Sequence, residues 1–219
     1  MTTKRILITA GPTYEKIDPV RFIGNYSSGK MGLALVAECL SRGMQVSLVL
    51  GPVSITDDCL NHPNLQLTRV ESAQQMYEAC NSIYPSMDAA ILCAAVADFT
   101  PVDVADHKIN RKGAELIIRL KPTKDIAASL GQQKTSHQLL AGFALETNDE
   151  QTNAHDKLQR KNFDFIVLNS LNDKGAGFQH DTNKISIITR NSTKEFPLKS
   201  KKECAVDIID TLCTLMQEK

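Results

Sequence analysis

The sequence predicts a doubly wound α/β fold, a Rossmann-like parallel sheet with helices on both faces. Three observations carry this. Short apolar runs alternate with amphipathic stretches along most of the chain. Several runs close on Gly, Pro or Asn, the residues that end strands in turns. After its leading Asp88 the run DAAILCAAVA is apolar throughout, as a strand buried on both faces requires. Strands alternating with helices imply right-handed crossovers and a parallel sheet.

Taken in order, RILITA (5–10) reads as a buried strand ended by Gly11-Pro12. MGLALVAECLSRG reads as a helix with Leu33, Val36, Ala37 and Leu40 on one face and Gly43 as its stop. MQVSLVL (44–50) and LQLTRV (65–70) are the next strands, followed by a helix over 72–84 with Ser72 as N-cap. DAAILCAAVA (88–97) and HQLLAGFAL (137–145) are two more buried strands. A helix over 149–161 and the strand DFIVLN (164–169) follow. KISIITR and KEFPLKS flank Asn191-Ser192 as a C-terminal β-hairpin, and a last helix over about 200–217 packs Ala205, Ile208, Ile209 and Leu212.

Residues 98–122 break the rhythm. They are too long and polar for a βα turn, although AELIIRL within them can form a strand. No repeat or linker divides the chain. Residues 1–219 therefore read as one domain with a protruding excursion.

Composition narrows the function. Hydrophobic residues make up 42% of the 219, enough for a core. The 25 basic and 25 acidic residues cancel, which removes the electrostatic footprint of a nucleic-acid polymer and leaves small nucleotides as possible ligands. The six cysteines form no C-x-x-C and no metal-type pairing with His, so reduced thiols are expected. The N-terminus enters a strand almost at once, and no apolar run approaches the ~20 residues of a membrane helix. A cytoplasmic protein with no membrane partner is expected.

Ligands of open α/β sheets bind beyond the carboxyl ends of the strands. The segments at issue are 11–32, 97–108, 144–149 and 169–178. In the first, GNYSSGKM imitates a phosphate-binding P-loop, yet Gly24 lies thirteen residues after Gly11 and Met31 supplies no hydroxyl for a metal. The Tyr26–Lys30 spacing imitates a dehydrogenase dyad, yet it occupies the place where that fold puts its glycine fingerprint, and VLGPV offers no acid for a ribose. What remains is Ser27, Ser28 and Gly29 before an apolar helix: a hydroxyl-capped helix start able to bind an anion, on a long polar loop that also carries Arg21 and Asn25. Lys108 and Lys112 in the excursion, and Lys157 and Lys161 with Arg160 on one helical face, add cations suited to a polyphosphate.

With these residues assembled, the chain closely resembles the phosphopantothenate–cysteine ligase family. ITAGPT, IDPVRFIGNYSSGKMG, AAVADF, HKI, GFALET, KLQRKNFDFIVLN and GAGF follow in family order over residues 6–178. The resemblance is to a stand-alone bacterial form. It implies ligation of 4′-phosphopantothenate to L-cysteine with CTP as co-substrate, through an acyl-cytidylate, with Mg²⁺ as a metal suited to the triphosphate. It implies Asn25 at the acyl-nucleotide with Arg21 supporting its loop, Lys108 on a strap neutralising phosphate charge, and Asp98, Phe143, Lys157 and Lys161 at the nucleotide. Ala94 and Ala95 leave room for ligand, and Ser27, Ser28 and Gly29 supply the anion cradle. KPTKDI (121–126) departs from the Lys-Asn-Pro-Asp-Ile of many bacterial members, so Thr123 and Lys124 enter as pocket residues of a departing segment. The excursion would carry homodimer contacts. The alternatives are a Rossmann-like NAD(P) oxidoreductase, lacking its fingerprint here, and a non-catalytic nucleotide-binding module.

Overall fold

The computed structural model describes residues 3–55, 57–111, 115–146, 150–170 and 181–219. β1 (Arg5–Ala10) leads into a small antiparallel pair, β2 (Tyr14–Lys16) and β3 (Phe22–Gly24). Next come α1 (Lys30–Ser41), β4 (Gln45–Leu50), β5 (Leu65–Arg69), α2 (Ala73–Ile83) and β6 (Ala89–Leu92). β7 (Phe99–Pro101), β8 (Leu120–Pro122), α3 (Ile126–Gln133), β9 (Leu139–Glu146), α4 (Glu150–Arg160) and β10 (Phe165–Ser170) form the middle of the chain. β11 (Thr182–Asn183), β12 (Ile185–Thr189), β13 (Thr193–Glu195), β14 (Lys199–Ser200) and α5 (Lys201–Gln217) complete it.

The main sheet runs β13-β12-β10-β9-β6-β1-β4-β5. From β5 to β10 its strands are parallel, and β12–β13 is an antiparallel C-terminal hairpin. Successive residues of a strand point to opposite faces, and β1 shows the result. Ile6 and Ile8 join Leu35, Val36 and Cys39 of α1 and Ile208, Ile209 and Leu212 of α5 on one face. Leu7 joins Met76 of α2, Leu130 of α3 and Leu158 of α4 on the other. The doubly wound architecture is therefore present.

Helix starts follow local chemistry. Ser72 and Gln75 form a reciprocal capping box on α2, and Ser200 and Glu203 form another on α5. At α1 the expectation fails: no side chain caps it, and its N-cap is Gly29 at φ 78, a left-handed position that a larger residue would strain. Ala37 also departs from the expected apolar face. It is exposed, while Leu35 and Cys39 are buried.

The run 88–97 is a strand only over its first half. Beyond Leu92 the Ala94 amide donates to Thr9 Oγ1 at 3.2 Å, the Ala95 amide to the Gly11 carbonyl at 2.9 Å, and the Thr13 amide to the Ala95 carbonyl at 3.3 Å. Residues 93–97 thus track the loop after β1 instead of the sheet ladder. Leu92 to Val96 are only half-buried, so apolar composition here reported neither full burial nor pairing. Among the described residues of AELIIRL, 115–120, only Leu120 enters a strand, in the β7–β8 ribbon at the base of the excursion. The sequence reading missed α3, which is short and is started by the Asp125 carboxylate accepting from the Ala128 amide at 2.8 Å.

Candidate active site

Read spatially, the six parallel strands reverse their order between β1 and β6. Loops leaving neighbouring strands there diverge and open a crevice. Two adjoining lobes occupy it, of about 370 Å³ and about 470 Å³. Ala94, Val96, Asp98, Phe143 and Lys157 line both, so the lobes form one cleft.

The smaller lobe lies at the start of α1 and is lined by Asn25, Ser27, Ser28, Gly29 and Ala95 among others. The amides of Lys30, Met31 and Gly32 belong to the first helical turn, which has no acceptors of its own, and all three residues line the lobe. This is the positive end of the helix dipole. Gly32 permits it: a Cβ there would lie 2.3 Å from the Ala10 Cβ, so only glycine lets α1 pack this closely on β1. Asn25 Nδ2 donates to the Ala95 carbonyl at 3.0 Å, fixing the amide at the mouth of the lobe.

The larger lobe is lined by Thr123, Lys124, Asp125, Lys157, Arg160 and Lys161. Thr123 Oγ1 donates to the Ala97 carbonyl at 2.7 Å, and the Lys124 ammonium sits 4.9 Å over the Tyr77 ring. Lys157 Nζ donates to the Phe143 carbonyl at 3.0 Å. Lys161 is buried rather than solvated and pairs with Asp125. Burial raises the Asp125 carboxyl, but the Lys161 ammonium and the Ala128 amide outweigh that and hold it below its ordinary range. KPTKDI therefore does line the cleft.

Arg21 lines neither lobe. Its Nε donates to Asp18 at 2.9 Å and its Nη2 to the Ile109 carbonyl at 2.7 Å. Asp18 is buried and also accepts from the Ile109 amide at 3.1 Å. The Arg21 guanidinium, opposed by burial and helped by these amides, holds that carboxyl well below the usual carboxylate range. Arg21 thus ties the loop bearing Asn25 to the excursion. Lys108, one residue before this tie, is exposed and lines neither lobe. Lys112 and the segments 147–149 and 171–178 lie outside the described residues. The rejected dyad stays rejected, since Tyr26 is 85% exposed and Lys30 pairs with Asp181 at 2.6 Å.

Sequence reasoning missed Cys93, Asn183 and Lys201, which also line the smaller lobe. Cys93 entered the sequence reading as one of six reduced thiols. Burial pushes its thiol up to about 12, against the pull of Lys201. Lys201 looked like an ordinary first residue of a helix. Nothing in the linear sequence placed it beside α1.

Residues 1–216 match the family model described as the DNA/pantothenate metabolism flavoprotein C-terminal domain. The chain belongs to this family. It is 53% identical over 97% of its length to a cysteine/cysteine sulfinic acid decarboxylase of an unidentified prokaryote, covering 59% of that protein. It is 43% identical over 98% of its length to the coenzyme A biosynthesis bifunctional protein CoaBC of Bacillus subtilis strain 168, covering 52% of it. The chain thus spans little more than half of these curated relatives. The crystal structure of a CoaBC C-terminal domain superposes with a TM-score of 0.83 at 39% identity, covering 100% of this chain and 98% of that one. A Cab2 mutant in complex with phosphopantothenate-cysteine shares the fold at a TM-score of 0.77 and 19% identity, covering 98% of this chain and 87% of that one. The resemblance drawn from the sequence blocks holds: the chain is homologous to the C-terminal, phosphopantothenoylcysteine synthetase-type domain of CoaBC. Among the described residues no helix is long and apolar enough to cross a membrane, and no cluster of three His, Cys, Asp or Glu could hold a metal. None of the six cysteines is in a disulfide.

Proposed function

We propose that this domain ligates 4′-phosphopantothenate to L-cysteine at the expense of CTP, in a cytoplasmic setting. One observation carries the reading: a single cleft at the switch point joins a lobe floored by a helix start and Asn25 to a lobe walled by Lys157, Lys161 and the 121–126 segment. A carboxylate is a poor electrophile until its charge is lost. In the first step a carboxylate oxygen attacks the α-phosphorus of the nucleotide and pyrophosphate leaves, giving an acyl-cytidylate. The cysteine amine then attacks the acyl carbon, CMP leaves with the bonding pair, and the amine gives up a proton.

The protein's tasks are to clamp the triphosphate and to aim the acid. Ser27, Ser28, Gly29 and the α1 amides cradle one anionic group, and Lys157 and Lys161 face the other lobe. Thr123, Lys124, Asp98, Ala94 and Phe143 shape the nucleotide wall. Asn25 and Ala95 face the activated acid, with Arg21 holding their loop to the excursion. Lys108 adds a cation to the triphosphate, a role that requires the excursion to come over the cleft. Mg²⁺ is held chiefly by nucleotide phosphates plus one or two carboxylates. Asp98, on the wall between the lobes, fits that need, and the ion would neutralise phosphate charge there.

A second copy of the chain fits the same surface. Val20, Phe22 and Tyr26 on the loop, and Phe99, Val102, Val104, Leu116, Ile117 and Leu120 on the excursion, are exposed. Among the described large apolar side chains, only Leu198 and Val206 are exposed elsewhere. Exposed apolar side chains concentrated on these two segments suit an interface, and a homodimer would cover them.

Pyrophosphate release with CTP, ATP, GTP and UTP, each with and without phosphopantothenate, tests the function. Release that requires phosphopantothenate and is fastest with CTP is expected, with product forming only on adding cysteine. Release indifferent to phosphopantothenate, or none with any nucleotide, overturns the reading.

A further inference from the structure

The floor of the smaller lobe is closed by residues from the far end of the chain. β11 pairs with β14, Thr182 opposite Ser200 and Asn183 opposite Lys199, which brings this ribbon to the start of α5. The Lys201 amide donates to the Asp181 carbonyl at 2.9 Å, and the Cys204 thiol to the Asn183 carbonyl at 3.6 Å. Both side chains are buried, Asn183 at 2% and Lys201 at 7% exposure, and both residues line the lobe.

Lys201 is an unusual residue for its place, and Asn183 is not fully answered within the fold. Lysine is seldom buried, and at a helix start the dipole opposes a cation. Capping does not require Lys201, because Ser200 and Glu203 perform it. Lys30 of α1 adds a second positive charge nearby. Asn183 Nδ2 donates to Asn169 Oδ1 at 3.0 Å, but Asn183 Oδ1 is buried with no partner among the described residues. An acceptor left so is unfavourable until a donor arrives.

A cation and an orphaned acceptor lining one lobe match a molecule carrying a negative group and an N–H on the same carbon. A phosphate would suit Lys201 but set acceptor against acceptor at Asn183. An α-amino acid satisfies both. We infer that Asn183 and Lys201 form the subsite for the attacking amino acid, Lys201 binding its carboxylate and Asn183 Oδ1 accepting from its amine. The neutral amine keeps its lone pair for the acyl carbon. This rests on the ligation reading and adds to it the place where the second substrate sits.

The test uses the full chain with CTP and phosphopantothenate saturating. Lys201→Met removes the charge at near-constant volume, and Lys201→Gln provides a second neutral variant. Cysteamine, which is cysteine without its carboxylate, is the comparison substrate. Each variant should raise KM for cysteine by about tenfold to a hundredfold. KM for cysteamine should be unmoved, so that the parent's preference for cysteine collapses. Pyrophosphate release before the amine is added shows that the variant is folded and the first step intact. An unchanged cysteine KM, or a loss that falls on phosphopantothenate instead, overturns the subsite. If the parent itself releases no pyrophosphate, the ligation reading fails, whatever Lys201 does.

Discussion

The two ends of the central sheet carry cavities of opposite character. The larger, about 880 Å³, lies at the amino end of β9 and β10, between the β12–β13 hairpin and the second half of α5. Its charges are answered locally. Lys134 bonds the Asn162 carbonyl at 2.5 Å and Asp164 at 3.0 Å, Lys219 bonds Asp164 at 3.2 Å, and Asp164 also accepts from the Leu140 amide at 2.7 Å. At the carboxyl end the lobes are smaller, yet beside a buried lysine at a helix start they hold first-turn amides and an asparagine oxygen with no partner among the described residues. Volume therefore says less about function than polar groups that folding leaves unanswered.

The sharpest break of this contrast is Asn25→Asp. The variant loses the Nδ2 donor and sets a carboxylate 3.0 Å from the Ala95 carbonyl. Product formation should fall by about a hundredfold or more, while pyrophosphate release persists. Single-turnover kinetics with chromatographic detection of the acyl-nucleotide checks this. Equal losses in both steps would mean that Asn25 only orders its loop.

Asp164→Ala makes the converse change at the amino end. It leaves the Lys134 ammonium, whose side chain is 7% exposed, without its carboxylate. Removing one partner of a buried pair costs about 3 kcal/mol. A lower urea midpoint is expected, with KM values for CTP and phosphopantothenate unchanged. A shift in either KM would make the amino-end cavity part of the function.

The same contrast explains what was legible in the sequence. Strands β1, β4, β5, β9 and β10 and helices α2 and α5 could be read because their apolar periods and caps are local. The end of β6 could not, since Ala94 and Ala95 are as apolar as Ile91, and what removes them from the ladder is a bond to the distant Thr9 and Gly11. At the site, Asn25 and the 27–29 cradle sit in one contiguous block and were visible. Lys161 was read as a cation for a polyphosphate, but its burial against Asp125 was not legible, because that partner is 36 residues away. Asn183 and Lys201 reach the cleft only through the β11–β14 ribbon.

The smallest expected effect tests whether Lys201 is kept for function at a cost to the fold. Burial, with the charge of Lys30 second, holds its ammonium below the ordinary 10.5, while Asp181, Cys93 and Cys204 pull the other way. Below the lowered folded value both folded and unfolded chains carry the proton, and the full burial cost is present. Between that value and 10.5 the unfolded chain binds more protons, so stability rises with pH. Lys201→Met should therefore be more stable than the parent by about 1 kcal/mol near neutrality. The gap should narrow as pH climbs toward 10.5. The neighbouring thiols, raised in the fold from 9.0 to about 11 for Cys204 and about 12 for Cys93, weaken both proteins alike as the unfolded chain ionises them, so the difference between the two proteins isolates the lysine. Urea midpoints of both proteins across the alkaline range measure it. A variant that is less stable at every pH would show the lysine holding the fold together, and its presence in the cleft would then need no substrate to explain it.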